Sequence, residues 1–360
     1  MKIAEYGIGN WKVDGRGNHR AVVRVSESCP VVLAELCWRR HDENPETKDI
    51  MVENEKGERV SRKVISVTKE KGLVAFEAQT EGLYYIYYLP FVQPREFFVP
   101  KTPYFRAGSL DYTKPIKALG DNPILKEEEK FDTESFPVLS ELGYNENIDY
   151  PKAELVRIEA RGEFNSMYPM EVPATDEEYN SLTEGRKDFM VFAEDRINQI
   201  RMKDAVPYKW YESGEVLSLE GEARPNEIWT FQIGVLALSD IKNLRLEFSD
   251  FGGLSASDFH CINMGGKDWL GREFKKEINV KKDRVQAMWV YVDIPKNAEK
   301  EYKGTVYVKA DNCETREAKL NISVRGEVLD DKGFSDLWRM SRLAWLDSDM
   351  AIDDTVVPPY

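Results

Sequence analysis

From His19 to Val324, apolar residues fall at every second position in one short run after another. Successive side chains of an extended chain point to opposite sides, so each such run reads as a strand with one buried face. Ala21, Val23 and Val25 share one side of the first run, and Val31 to Leu36 is a second apolar run. Lys63 to Val67 follows a Glu55-Lys56-Gly57-Glu58 turn, and Leu73 to Ala78 with Leu83 to Leu89 reads as a hairpin across Gln79-Thr80-Glu81-Gly82. The pattern returns at Glu154 to Glu159, Phe189 to Phe192 and Ile200 to Met202. Further on, Trp229, Phe231, Ile233 and Val235 share one face, as do Leu244, Leu246 and Phe248. Val285 to Ile294 is apolar on both faces, which predicts a central, doubly covered strand. The clearest signal is a hairpin in which Thr305-Val306-Tyr307-Val308 turns through Asp311-Asn312 into Ala318, Leu320, Ile322 and Val324.

Strands joined by turn signals without intervening helical periods predict a mainly β chain built of two antiparallel β-sandwich domains with short helical insertions. Two domains also follow from length, because 360 residues exceed what one hydrophobic core usually serves. Pro90, Pro94, Pro100 and Pro103 end the first strand region, since proline cannot donate to a central ladder. The expected division is a first sandwich at 1–105, a helical or loop connector at 106–150, a second sandwich at 151–326 and a linker segment at 327–360. Helical signals occur at Ile124 to Phe131 and Phe136 to Gly143. A third begins at Thr175, where Thr175 and Glu178 have capping-box spacing and Gly185 can close the helix.

Charge and cysteine content narrow the function. The 64 acidic against 50 basic residues give a formal charge of −14, which repels phosphate backbones and anionic lipid and leaves neutral ligands such as sugars favoured. No nucleic-acid or membrane partner is expected, and no run approaches the ~18–20 apolar residues of a spanning helix. The N-terminal residues lack the apolar block of a signal peptide. Location is therefore left open between the cytoplasm and, if a leader has been removed, the periplasm or exterior. Cys29, Cys37, Cys261 and Cys313 form no Cys-x-x-Cys pair and read as buried thiols. His19, His41 and His260 are scattered, so neither a metal nor a cofactor is expected.

Motifs for phosphate binding and nucleophilic catalysis fail on inspection. Gly7-Ile8-Gly9 and Gly15-Arg16-Gly17 lack the third glycine of a dinucleotide loop, and Gly253 to Ser257 lacks the closing glycine of a nucleophile elbow. Sugar hydrolysis needs two acids flanking the scissile bond. The doublets Asp42-Glu43 and Asp176-Glu177 read instead as a solvated turn and the first turn of a helix. Asp347, Asp349, Asp353 and Asp354 lack the glycine and terminal glutamate of an EF-hand loop. Flat aromatic faces suit the apolar faces of pyranose rings, which nominates Trp11, Trp38, Trp210 with Tyr211, Trp269 and the run Tyr84, Tyr85, Tyr87 and Tyr88. Trp229 and Trp289 fall in phase with core positions. Gly265 to Gly271 brackets Asp268 and Trp269 with three glycines and reads as a shaped loop. The candidate carbohydrate-contacting residues are accordingly Trp269, Asp268, Trp38 and Tyr85; no catalytic residue is nominated.

Segments in order along the chain are similar to the N-terminal region of glycoside hydrolase family 123-type proteins. They include Gly17 to Val25, Trp38-Arg39-Arg40, Tyr87 to Pro90, Tyr168 to Val172 and Glu194-Asp195-Arg196. Gly265 to Arg272, Tyr302 to Val306, Ser341 to Ser348 and Ile352-Asp353-Asp354 complete the series. The resemblance implies a β-sandwich region preceding a barrel. In that family the barrel removes terminal N-acetylgalactosamine with an adjacent Asp-Glu pair, and the sugar's own 2-acetamido oxygen attacks the anomeric carbon. Neither acid doublet here lies in a matching context, and a barrel of ~250 residues finds no room after the strand-rich region. The resulting expectation is a non-catalytic accessory region of an N-acetylhexosaminidase-type hydrolase, partnered by a C-terminal catalytic barrel of the same polypeptide and by oligo- or polysaccharide. A stand-alone carbohydrate-binding module and an enzyme with an acid pair between its domains are the alternatives.

Overall fold

A computed structural model of the chain describes residues 4–12, 15–90, 144–268, 272–298 and 300–346. The chain divides into two compact units, Met1–Tyr168 and Pro169–Tyr360. The helical signals between residues 124 and 143, Trp269 and the terminal acidic cluster lie outside the described residues.

The first unit holds β1 (Glu5–Ile8), β2 (His19–Val25), β3 (Cys29–Cys37), β4 (Met51–Asn54), β5 (Arg62–Val67), β6 (Lys71–Ala78), β7 (Gly82–Tyr87) and β8 (Lys152–Ala160). Strand order is β4-β7-β2-β8-β3-β6-β5, with β1 added on β8. Two expectations are corrected here. The strand at 152–160, assigned by its position to the second sandwich, pairs with β1, β2 and β3, so the division falls after Tyr168 rather than at 150. Likewise β6 and β7 are not a hairpin: β6 pairs with β3 and β5, β7 with β2 and β4. A four-residue turn serves equally for a hairpin and for a chain crossing to another part of the sheet, and only the partners distinguish them.

Alternation does place the core of this unit. Ala21, Val23 and Val25 pack with Val32, Ala34 and Leu36, with Val74 and Phe76, and with Tyr84 and Ile86. Each group is spaced by two, as a half-buried strand requires. Pairing is mostly antiparallel, but β1 and β3 run parallel to β8.

The second unit contains two four-stranded sheets. One is β10 (Ser218–Ala223), β18 (Cys313–Val324), β17 (Glu301–Ala310) and β12 (Arg245–Phe248), in that order. The other runs β13 (Phe259–Cys261), β16 (Val285–Asp293), β11 (Ile228–Ala237), β9 (Phe189–Asp195). A ribbon of β14 (Gly265–Lys267) and β15 (Glu273–Lys275) stands beside them. The hairpin at Asp311-Asn312 forms as expected, although edge strand β10 joins β18 in parallel. Val285 to Ile294 is the central strand the sequence predicts, flanked by β11 and β13. Phe231, Ile233, Met288, Val290, Leu320 and Ile322 belong to the principal core of this unit.

β11 is buried at all ten positions. On its second face, Leu236 packs with Phe192, Ile200, Val206 and Trp210. Part of this layer comes from α1 (Asp176–Thr183) and α2 (Tyr208–Ser213). The capping box at Thr175 forms, Glu178 N donating to Thr175 Oγ1 at 3.3 Å and Thr175 N to Glu178 Oε2 at 2.8 Å. Ile200 to Met202 is loop rather than strand, because Ile200 N is taken by the Gln232 side chain at 2.8 Å instead of a ladder partner. Residues 327–346 are not a bare linker. They return to the sheet, with Ser341 Oγ donating to Ile228 O at 2.8 Å and Thr230 Oγ1 to Arg339 O at 3.0 Å.

Candidate functional site

The residues nominated from sequence do not assemble. Trp38 is fully buried, its Nε1 donating to Thr68 O at 2.9 Å and its ring tilted on Tyr88 at 5.3 Å. A Cβ on Gly72 would come within 2.3 Å of the ring, so glycine is what admits the indole against β6. Trp38 therefore has no face to offer a sugar, which corrects its nomination. Tyr85 is half-buried and already covered, the Arg20 guanidinium lying 3.9 Å from its ring centroid and 4.4 Å from that of Trp11. Arg20 is fixed in turn by Glu159 at 2.7 Å. Asp268 accepts from Arg272 N at 2.9 Å and closes the tip of the β14–β15 ribbon. Trp210 is buried, stacked on Phe192 at 4.0 Å, with its Nε1 on Glu194 at 2.8 Å.

The Asp42-Glu43 doublet is a structural turn. Asp42 takes both Arg40 Nε and Nη2 at 2.8 Å and Lys48 Nζ at 2.7 Å, and its side chain is only 11% exposed. Burial alone would raise its pKa, but Arg40 and Lys48 outweigh burial and hold the carboxyl below the ordinary value. A depressed folded-state pKa contributes stability above the unfolded value of ~4, lost as pH falls through the folded one. Asp42→Asn is thus expected to cost about 1–3 kcal/mol at pH 7 and much less at pH ~3. Urea unfolding of both proteins across that range checks it; a constant difference would refute the ion-pair account.

In the first unit a recess of about 170 Å³ is lined by Tyr6, His19, Ile158 and Met167. Its one titratable imidazole is committed, with His19 Nε2 2.9 Å from Asn165 O and burial holding its pKa down. The second unit has a groove of about 500 Å³, within the ~300–1,000 Å³ of small-molecule clefts. Five separate stretches build it: the turn after β9, β10 with the residue that follows it, Trp229 of β11, the exit from β18, and the returning segment at 338–339.

Beneath the groove lies Glu227, which is fully buried. Its Oε1 accepts from Arg196 Nη1 at 2.5 Å and Arg339 Nη1 at 3.1 Å, and its Oε2 from Arg224 N at 2.7 Å. Arg339 is also held by Asp336 at 2.7 Å, while Asp195 caps its own turn by accepting from Ile197 N and Asn198 N, each at 2.8 Å. Because both guanidinium groups bond one oxygen, they sit side by side. The Trp338 ring rests on this pair, 4.9 Å from Arg196 and 4.4 Å from Arg339. Trp338 is nevertheless 56% exposed, which leaves the other face of the indole to solvent. Gly333 permits the arrangement: its φ is +85°, and a Cβ there would stand 2.9 Å from both the Arg339 and Ser341 side chains.

Glu220 and Glu222 project from the same face of edge strand β10, and Arg224 and Arg325 stand at the groove's rim. Arg224 Nε donates to Glu327 O at 2.8 Å, and Arg325 Nε and Nη2 to Ser323 Oγ at 2.9 and 2.8 Å. These bonds fix the forks while leaving further N–H groups for a ligand. Chemically, the site offers one open aromatic face beside fixed donors and acceptors. Sequence reading missed it because Trp338 lay in a stretch assigned to a linker and Glu227 has no motif; the nearest signal was Glu194-Asp195-Arg196 among the family-like segments. Among the described residues, no three His, Cys, Asp or Glu side chains converge to hold a metal ion, and no helix is long and apolar enough to cross a membrane.

Residues 9–161 match the family described as glycoside hydrolase 123, N-terminal domain. Among solved structures, the chain is similar to a family 123 glycoside hydrolase from Clostridium perfringens studied for glycolipid glycan hydrolysis. Identity is 16%, the TM-score is 0.30, and the match covers 39% of this chain and only 28% of that one. It is also similar to PapD-like domain 7 of human CEP192, at 13% identity over 32% of this chain and 84% of that one, with a TM-score of 0.21. A DUF4466 family protein from Parabacteroides merdae shares 16% identity over 38% of this chain and 45% of its own, with a TM-score of 0.21. No curated protein matches the chain.

Proposed function

Taking residues 9–161 as an N-terminal region of the glycoside hydrolase 123 type, we propose that this chain is the non-catalytic accessory part of an N-acetylhexosaminide-cleaving enzyme. The family match over that span carries the reading. Its role is to support a catalytic barrel of the same polypeptide and to help present glycan to it.

The placement of acids supports the same view. Most glycoside hydrolases set two carboxyl groups about 5–10 Å apart across the scissile bond, and the substrate-assisted kind needs an uncommitted acid pair beside the 2-acetamido group. In the groove, Glu220 and Glu222 stand two residues apart on one strand, while Asp195 is taken by Ile197 N and Asn198 N and Glu327 lies against Arg224. Asp42 is spent on Arg40 and Lys48, and Glu194 on Lys209 and Trp210.

The test is release of chromophore from aryl N-acetyl-β-galactosaminide and N-acetyl-β-glucosaminide. The 360-residue chain alone is expected to give none, and a polypeptide joining it to a family 123 barrel to turn the substrate over. Turnover by the chain alone, surviving repurification and abolished by Glu222→Gln, would replace the accessory reading with an enzyme whose site is the groove.

A further inference from the structure

We infer that the groove of the second unit is a binding site for a neutral oligosaccharide, one pyranose ring stacking on the open face of Trp338 and its hydroxyls held by Arg224, Arg325 and Glu222. The class of ligand rests on the accessory reading; the existence of the site rests on the groove alone, and binding and hydrolysis are read by separate experiments.

The geometry gives three reasons. An indole is a costly group to leave half in water, and this one is held rigidly. Its lower face is clamped on two guanidinium groups, themselves pinned by a fully buried carboxylate. Preorganisation of that kind lowers the entropy lost when a ligand docks. The lining is also chemically mixed. Ile197 is 75% exposed at the rim, yet the walls carry fixed guanidinium forks and carboxylates, which match a ring with apolar faces and polar edges. Finally, the charge of the lining balances. Arg196, Arg224, Arg325 and Arg339 face Asp195, Glu220, Glu222 and Glu327. In a chain carrying −14 overall, a locally neutral groove favours an uncharged ligand over an anionic one.

A protein surface is the rival occupant, because Leu337, Trp345 and Leu346 are exposed at 68%, 56% and 68% on the same returning segment. Such an occupant would want apolar contact across that segment. The groove instead offers unsaturated hydrogen-bonding forks beside one ring.

The experiment is a neutral-glycan array probed with the full chain, followed by calorimetric titration of the best tri- or tetrasaccharide. Trp338→Ala is expected to weaken binding about tenfold or more, as truncation of a central aromatic anchor does. Trp345→Ala, equally exposed but outside the groove, is expected to leave affinity unchanged. Affinity should also change less than about twofold between 0.05 and 0.5 M NaCl, since no net charge is neutralised. Unchanged unfolding midpoints for both variants separate loss of the site from loss of fold. An array with no neutral binder, or a Trp338→Ala protein that binds as the parent does, overturns the inference. So does a result in which both tryptophan variants lose association with a family 123 barrel while saccharide affinity is unaltered. Failure of the hydrolysis test would leave these binding results standing.

Discussion

Replacing Glu227 with alanine is expected to destabilise the second unit by about 3–5 kcal/mol, the cost of stranding buried charge. The carboxylate has no exposure, and the Arg196 and Arg339 side chains it joins are 7% and 8% exposed. Without it, two adjacent guanidinium groups of like sign face each other away from water. Burial works against the charged form of Arg339, and Asp336 and Glu227 together more than offset it. Asp336 remains in the variant, but its side chain is 46% exposed, so its compensation is screened and partial. Glu227→Gln keeps acceptor capacity while losing charge, and should fall between the two. Urea unfolding followed by near-ultraviolet dichroism measures all three. A loss under about 1 kcal/mol for the alanine variant would mean the arginines reach water when released, and the clamp beneath Trp338 would lose its rationale. The same variant should bind saccharide poorly even where it remains folded.

This clamp shows where sequence reading stops. Alternation identified inward faces wherever the strand itself held the information: Ala21, Val23 and Val25, the Phe231 series and both faces of Val285 to Ile294. The capping box at Thr175 and the turn at Asp311-Asn312 were equally legible, because donors, acceptors and turn residues lie within a few positions of each other. Partner choice was not. Lys152–Ala160 looks like any other strand, and nothing local says that it reaches back more than a hundred residues to β1, β2 and β3. The groove is the extreme case, since Asp195, Glu222, Arg325 and Trp338 come from four distant stretches. Tyr85 illustrates an intermediate failure. It lies opposite the core residues Tyr84 and Ile86, but Arg20 from a neighbouring strand occupies its face.

Trp38 could have been placed from phase alone, and its replacement is the second large effect. Val32, Ala34, Leu36 and Trp38 continue one alternation, and all four belong to the core of the first unit. Trp38→Ala is expected to cost about 3–5 kcal/mol, the transfer energy of a buried aromatic plus the cavity it leaves. The loss has identifiable parts. Thr68 O forfeits the indole N–H, Tyr88 loses its neighbour at 5.3 Å, and Arg40 loses the ring 5.0 Å from its guanidinium. Arg40 keeps Asp42, so no buried charge is stranded and the cost should come from packing rather than electrostatics. That predicts a destabilisation nearly independent of pH between about 3 and 7, unlike the Asp42→Asn effect. Trp38→Phe should recover roughly half, because Gly72 leaves a flat ring room but the hydrogen bond is gone. Denaturant unfolding at two pH values, with calorimetric saccharide titration of the folded variants, makes the contrast with Trp338 direct. One tryptophan should govern stability and leave binding untouched, the other the reverse. A Trp38→Ala protein of parental stability and weakened saccharide affinity would put the binding surface back on the first unit.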